Sequence, residues 1–132
     1  MNEVIKADLF RYVPKPYSRI NLLKGFRSHG FRYLFLKRKL QYCKKYNPAR
    51  WLFWLLHRRY TFKYGFQIGG RIGKGFYIGH FGTIVVNNEA EIGENCNIAH
   101  GVTIGVTRRG ENKGIPKIEN EVWIGANAVI VG

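Results

Sequence analysis

The residues of this chain best suited to chemistry are two histidines, His80 and His100, which hold equivalent places in a six-residue pattern. Each stands two positions after an isoleucine, and Ala126 holds the same place further along. Imidazole is the one side chain whose ordinary pKa lies close to neutral pH, so it can act as a general base or acid. A solvent-exposed corner without a catalytic role is the open alternative for both histidines.

The pattern that carries these histidines runs through the second half of the chain. Its period of six matches neither the period of 2 of a strand nor the period of 3.6 of a helix. Glycine commonly follows the aliphatic residue and permits a tight corner. Such hexapeptide repeats predict a mainly β solenoid in which three short strands form one coil, here with about three coils. The repeating aliphatic positions are Ile72, Ile78, Val86, Ile92, Ile98, Ile104, Ile118, Ile124 and Ile130.

The period also predicts which side chains stack. With three hexads in each coil, His80, His100 and Ala126 fall on one edge of the solenoid. Neighbouring coils are separated by about 4.8 Å, the spacing of strands in a sheet. We therefore expect the two histidines to be neighbours in space.

The first half of the chain reads as helices. Helices are predicted from about 18 to 29, with a break at Gly30, and from about 31 to 46, with Arg38 and Lys39 facing solvent. Asn47 and Pro48 are a good cap and first-turn pair for a third helix. The predicted organisation is a basic α-helical region over 1–64, which caps the solenoid, and a solenoid domain over 65–132.

Charge divides the chain in the same way. The 132 residues have a net charge of +14; residues 1–64 hold sixteen Lys/Arg against two acids, and the rest is neutral. These basic helix faces are either solvated or in contact with an anionic membrane. Nucleic-acid binding is not expected, because no recognition motif is present. Cys43 and Cys96 are expected to be reduced in the cytoplasm, and their separation suggests neither a disulfide framework nor a metal site.

Several stretches together resemble a known superfamily. IGKGFYIGH, GVTIG, VTRRGENKGIPKI and VWIGANAVIVG resemble the serine acetyltransferase superfamily of left-handed β-helix acyltransferases, most of all its capsule and exopolysaccharide O-acetyltransferases. DLFRY and GFRYLFLKRKL are similar to the helical region ahead of the repeats in serine acetyltransferases. The resemblance implies a left-handed coil, acetyl-CoA as acyl donor, and a homotrimer with active sites between subunits.

The resemblance also implies roles for particular residues. His80 matches the catalytic histidine, which would act as general base when a hydroxyl attacks the thioester of acetyl-CoA. Gly105 and Ala126 match positions where main-chain amides meet acetyl-CoA. The stacking of the repeat, rather than the resemblance, puts His100 beside this site, where it either binds the acceptor, sets the tautomer of His80 or is an exposed corner. His100 and Asn88 are candidate acceptor-site residues. The extended loop before Ile118 corresponds to one that covers the acceptor site, and its charges either meet the phosphates of CoA or are solvated.

Departures from the serine enzymes bear on the acceptor. Those enzymes have an aspartate where this chain has Gly79 and an Arg-His pair where it has Gly114 and Ile115, and the position of an orienting aspartate falls at Gly65. The missing charges would pair with a free amino acid, so the predicted acceptor is a saccharide hydroxyl, as in a capsule or exopolysaccharide precursor. Two alternatives are a serine O-acetyltransferase and a catalytically incomplete fragment, since related enzymes continue for at least one further coil beyond Gly132.

Overall fold

Four helices open the chain in the computed structural model, which describes residues 1–111 and 113–132. Among these residues, no helix is long and apolar enough to cross a membrane. The last helix ends at Tyr64 and the first strand begins at Phe66, on either side of Gly65, whose φ of 74° places it in the left-handed region. The helices are α1 Glu3–Tyr12, α2 Arg19–Gly25, α3 His29–Tyr42 and α4 Ala49–Tyr64.

Ten short strands follow, and each of the first seven pairs in parallel with the strand three places later in the chain. The first sheet has the order β1-β4-β7-β10, the second β2-β5-β8 and the third β3-β6-β9. This order is the one expected when three strands make one coil. The strands are β1 Phe66–Ile68, β2 Arg71–Ile72, β3 Tyr77–Ile78, β4 Ile84–Val86, β5 Glu91–Ile92, β6 Asn97–Ile98, β7 Thr103–Gly105, β8 Lys117–Ile118, β9 Trp123–Ile124 and β10 Val129–Val131.

The repeating aliphatic residues meet in register, as predicted. Ile78 pairs with Ile98 and Ile98 with Ile124 in the third sheet, and the isoleucines of the second sheet align likewise. The first sheet differs from the prediction. Strands β1 and β4 of this sheet bury their first and third side chains, so both Ile84 and Val86 are buried where the pattern predicts Val86 alone. Strand β1 also adds a side to the solenoid before the first predicted hexad.

The helical predictions need three corrections. The sequence pattern assigns no separate helix to α1, although this segment lies in the predicted helical region over 1–64. Gly30 does not break a helix but lies in the first turn of α3, and a Cβ added to it would lie only 2.4 Å from the carbonyl oxygen of Ile78. Glycine is therefore needed there because α3 packs directly on β3. Arg38 is buried rather than solvent-facing. Pro48 lies at the N-cap of α4, one residue after the predicted cap, and Oδ1 of Asn47 accepts the N–H of Ala49 at 2.9 Å.

Helices and strands share one hydrophobic core. Tyr33, Leu34 and Tyr64 of the helices are buried in the same cluster as Phe66 and the inward isoleucines of the strands. A second, smaller cluster joins α1 to α3 through Ile5, Leu9 and Phe31. The helical half thus covers the apolar interior of the first coil, which would otherwise meet water.

Candidate active site

The two candidate histidines lie on stacked corners of the solenoid. His80 lies between β3 and β4, and His100 lies between β6 and β7. Strands β3 and β6 are paired in register, so the two corners lie one above the other. The ring centroids of His80 and His100 are 6.0 Å apart, with an angle of 85° between the ring planes. Their predicted proximity is confirmed, and both side chains are exposed to solvent.

These corners border an open cleft of about 360 Å³. It combines two imidazoles and one amide with two aromatic rings and small or apolar residues. None of the described residues that line it carries a carboxylate, an ammonium or a guanidinium group. The lining can therefore exchange protons through histidine but has no fixed charge of its own; the nearby guanidinium of Arg11 donates to Oδ1 of the lining residue Asn97. Its lining residues are Tyr77, Gly79, His80, Asn97, Ile98, Ala99, His100, Trp123, Gly125 and Ala126.

Gly82 fixes the shape of the corner that bears His80. Its φ of 131° is one that side chains rarely allow, and an added Cβ would lie 3.1 Å from the Cβ of His100. The N–H of Gly82 donates to the carbonyl of Tyr64 at 3.0 Å, which ties the corner to the end of α4. A side chain at position 82 would therefore crowd His100 on the neighbouring corner.

Helix α1 supports the strand that leads to His80. The hydroxyl of Tyr12 accepts the N–H of Ile78 at 2.7 Å, and its ring centroid lies 4.7 Å from that of Tyr77. Burial raises the pKa of Tyr12, so the hydroxyl stays protonated and available as a donor to the carbonyl of Ile78 at 3.4 Å. Sequence reasoning missed this residue, although it ends the DLFRY stretch that carried part of the resemblance.

A buried ion pair holds α1 against the first coil. Nε of Arg38 donates to Oδ2 of Asp8 at 2.9 Å, and both side chains are almost completely buried. Burial raises the pKa of Asp8, while the Arg38 guanidinium and the N–H of Phe76 act in the opposite direction. The pair lies beneath β2 and β3 and belongs to the support of the cleft rather than to its lining.

The other predicted site residues are more dispersed. Ala126 lines the cleft, whereas Asn88 and Gly105 do not. Asn88 lies at the corner between β4 and β5, where a Cβ added to Gly69 would meet its Oδ1 at 2.2 Å. Gly105 ends β7 and pairs with Val131 of β10. Among the described residues there is no group of three or more His, Cys, Asp or Glu able to hold a metal ion.

The extended loop between β7 and β8 is closed by its own backbone. Thr107 and Gly114 form an antiparallel bridge with N–O distances of 3.2 and 2.8 Å. Nη2 of Arg108 lies 3.9 Å from Oε1 of Glu89, and both side chains are exposed. The charges that are predicted either to meet the phosphates of CoA or to be solvated belong to Arg108, Arg109 and Lys113, which are all solvent-exposed.

Sequence comparison finds known acetyltransferases that are similar to about half of this chain. No protein-family model matches the chain. The chain is 39% identical over 64 residues to a serine acetyltransferase of Helicobacter pylori. The aligned residues make up 48% of this chain and 37% of that protein. The chain is 41% identical over 71 residues to the putative colanic acid biosynthesis acetyltransferase WcaB of Escherichia coli K12, covering 54% and 43%. The resemblance to the serine acetyltransferase superfamily is confirmed.

Solved structures of serine acetyltransferases extend the similarity to the helices. The Brucella abortus enzyme in complex with coenzyme A superposes with a TM-score of 0.68 at 30% identity, over 98% of this chain and 53% of that one. The Neisseria gonorrhoeae enzyme in complex with serine gives a TM-score of 0.67 at 29% identity, over 96% and 53%. The chain thus spans less than half of the curated relatives named above and about half of these solved structures.

Proposed function

We propose that this chain belongs to an acetyl-CoA-dependent O-acetyltransferase that transfers acetyl to a hydroxyl of a saccharide. The observation that carries the proposal is the exposed pair of histidines on stacked corners, in a cleft whose lining has no fixed charge. Similarity to acetyltransferases in sequence and in fold supports acyl transfer. The Brucella neighbour in complex with coenzyme A supports acetyl-CoA as the donor. The coil would be left-handed, as in the relatives that the sequence resembles.

His80 would act as the general base. Its imidazole takes the proton from the acceptor hydroxyl as the oxygen attacks the thioester carbonyl, and the C–S bond then breaks. The same proton passes from the imidazolium to the departing thiolate, so the products are the acetyl ester and free CoA. Small residues next to His80 and His100, at Gly79, Ala99 and Ala126, leave their backbone accessible to a ligand.

The lining of the cleft favours a neutral acceptor. A free amino acid has an ammonium and a carboxylate, and a site that binds it pairs these charges. The described lining has no such partner, whereas Asn97 and the histidines can hydrogen-bond to hydroxyl groups. Tyr77 and Trp123 add aromatic surface, which suits the apolar face of a sugar ring. His100 would bind the acceptor beside His80.

Serine O-acetylation is the second candidate. It is favoured by the names of relatives such as the Helicobacter pylori protein and by the Neisseria neighbour, which was solved in complex with serine. In that case the charges for serine would come from outside the described cleft lining, for example from Arg108 or Arg109 in the extended loop. Asn88 would serve as an acceptor-site residue and Gly105 as an acetyl-CoA contact only if a second subunit brings them to the cleft.

The outer faces of the solenoid fit a homotrimer. The second sheet directs a charged row outward, consisting of Arg71, Glu91 and Lys117. The first and third sheets flank the histidine corners and expose Val129 and Trp123. We therefore place the subunit contacts on the first and third sheets, next to His80, and the second sheet on the outside. Light scattering of Trp123→Glu against Lys117→Glu tests this: the first variant should dissociate and the second should keep the mass of three chains.

An acceptor panel tests the proposed reaction. Release of CoA thiol from acetyl-CoA is followed with free serine and with nucleotide-linked and lipid-linked sugars, and His80→Ala is the blank. Transfer to a saccharide with no saturable transfer to millimolar serine supports the proposal. Saturable acetylation of serine contradicts it in favour of the second candidate. If CoA binds but neither acceptor is acetylated, the segment is catalytically incomplete.

The free thiols Cys43 and Cys96 fit a protein of the reducing cytoplasm, where we place the reaction, at the inner face of the membrane.

A further inference from the structure

Helix α4 has an outward stripe that no part of the described chain covers. Trp51, Leu55, Arg58 and Phe62 follow one another at spacings of four, three and four, so they lie on one face of the helix. Trp51 is 67% exposed and Phe62 is 72% exposed. The opposite face supplies Tyr64 to the core. The exposed aromatic stripe is therefore separate from the face that holds α4 to the protein.

Basic side chains are interleaved with this stripe. The guanidinium of Arg58 lies 5.5 Å from the ring centroid of Trp54 and 5.3 Å from that of Phe62. Arg59 and Lys63 stand at its edge, and α4 contains no Asp or Glu. Within the described chain, none of these three cations has a carboxylate within 4 Å. The face combines exposed aromatic surface with uncompensated positive charge.

We propose that this face of α4, called the α4 stripe, lies on the surface of an anionic lipid bilayer. Amphipathic helices with Trp and Phe on one side and Lys and Arg around them lie in the plane of the interface. The rings of Trp51, Trp54 and Phe62 would enter the headgroup region, and Arg58, Arg59 and Lys63 would meet anionic headgroups. This role assigns a surface outside the cleft and does not depend on which acceptor is acetylated.

The charge of the stripe argues against two other occupants. Two copies of α4 packed face to face would oppose cation to cation, because the helix has no acid to offer. A nucleic acid would be held chiefly by contacts from cations to phosphates. Here the centre of the stripe is occupied by Trp51, Leu55 and Phe62, and the cations other than Arg58 lie at its edge. An anionic lipid interface accommodates both features, because the central apolar side chains enter the headgroup region and the cations at the edge pair with anionic headgroups.

Tryptophan fluorescence tests the proposal directly. The chain has three tryptophans, so Trp123→Phe leaves only Trp51 and Trp54, both on α4. This protein is titrated with vesicles of phosphatidylcholine containing about 30% phosphatidylglycerol and with vesicles of phosphatidylcholine alone. We expect a blue shift and quenching by brominated acyl chains only with the anionic vesicles. Binding should weaken steeply as salt shortens the Debye length below about 8 Å.

Matched variants assign the binding to the stripe. Trp51→Ala with Phe62→Ala, and separately Arg58→Gln with Arg59→Gln, should each weaken partitioning at least about tenfold. Two controls remove comparable groups elsewhere: Ile20→Ala with Leu23→Ala, which are 66% and 70% exposed, and Arg71→Gln with Lys117→Gln. The controls should change partitioning less than about twofold.

Four kinds of result would overturn the proposal. Equal loss in control and stripe variants would mean that binding is spread over the basic chain. Equal binding to neutral vesicles, or no quenching by brominated lipid, would mean that the tryptophans do not enter an interface. A fall in lipid-free molecular mass in the stripe variants would assign the stripe to a second copy of the chain. Binding to double-stranded DNA that depends on the stripe, without vesicle binding, would assign it to nucleic acid.

Discussion

Asp8 of α1 and Arg38 of α3 form a buried pair that joins two helices to the first coil of the solenoid. Nε of Arg38 lies 2.9 Å from Oδ2 of Asp8, and its other nitrogens donate to the carbonyls of Ile72 at 2.8 Å and Gly73 at 2.6 Å. Oδ1 of Asp8 accepts the N–H of Phe76 at 3.1 Å. Because the remaining polar atoms of the pair are satisfied by backbone groups of β2 and its neighbours, the pair fixes the approach of the helices to the strands that lead to the cleft.

Breaking this pair should destabilise the protein strongly. We expect Arg38→Met to lower the free energy of unfolding by about 3–5 kcal/mol, because it leaves the carboxylate of Asp8 buried without its cation. Arg71→Met is the matched control, since Arg71 forms an exposed pair with Glu91 and should cost less than about 1 kcal/mol. Urea unfolding measures both. Similar losses in the two variants would show that the burial of the Asp8 pair has no energetic consequence.

Tyr12 should position the strand before His80. In Tyr12→Phe the N–H of Ile78 loses its acceptor within a part-buried region, which costs about 1–3 kcal/mol of stability. We also expect slower acetyl transfer with little change in acetyl-CoA affinity, because β3 ends two residues before His80. Tyr17→Phe is the control at an exposed position. Unchanged turnover in Tyr12→Phe would limit Tyr12 to a structural role.

Much of the solenoid is predictable from the sequence because its period is local. One aliphatic residue in six and strands about 4.8 Å apart suffice to place His80 beside His100. The helical pattern predicts a solvent-facing Arg38, because a charged side chain in a helix is normally exposed. Its partner Asp8 lies thirty residues earlier. The pattern also assigns no separate helix to α1, because the charged Asp8 interrupts the buried face of this helix between Ile5 and Leu9. Long-range pairing of charges leaves no periodic signal.

The glycine at the His80 corner should be needed for both stability and activity. Gly82→Ala places a Cβ 3.1 Å from that of His100 at a φ of 131°, so we expect a loss of about 1–3 kcal/mol and reduced acetyl transfer. Gly125→Ala is the control for stability, because it lies at the equivalent corner of the third coil and an added Cβ there meets nothing within 4 Å. Thermal unfolding is compared for the two variants, and the turnover of Gly82→Ala is compared with that of the native chain. A neutral Gly82→Ala would show that the corner adapts.

Replacing each histidine separates the base from its neighbour. His80→Ala should lower the rate of acetyl transfer at least about 100-fold while acetyl-CoA affinity changes little, since no other side chain of the cleft can take the proton from that position. His100→Ala should raise the KM for the acceptor more than it lowers kcat. Steady-state kinetics with calorimetric CoA binding distinguish these outcomes. If His80→Ala keeps most of its activity and His100→Ala does not, their roles are reversed.

His57 should make the stability of the fold depend on pH on the acid side. Burial, together with the charge of Lys37, lowers the pKa of His57 to about 4. Its ring lies 4.6 Å from that of Tyr33, and its Nε2 is buried without a hydrogen-bond partner in the described structure. The imidazole of the unfolded chain titrates near pH 6.5. Between about pH 6.5 and 4 the unfolded chain therefore binds a proton that the folded chain does not.

The folded state is thus favoured fully above pH 6.5, and this contribution is lost as the pH falls towards 4. For a group that is only partly buried we expect a loss of the order of 1–2 kcal/mol. Carboxylates also titrate in this range, so the measurement is a difference: urea unfolding at pH 7 and 4.5 for the native chain, for His57→Phe, and for His29→Gln as the control at an exposed histidine. His57→Phe should lose less stability on acidification than the other two proteins. Equal losses in all three would mean that the buried imidazole takes up its proton without unfolding.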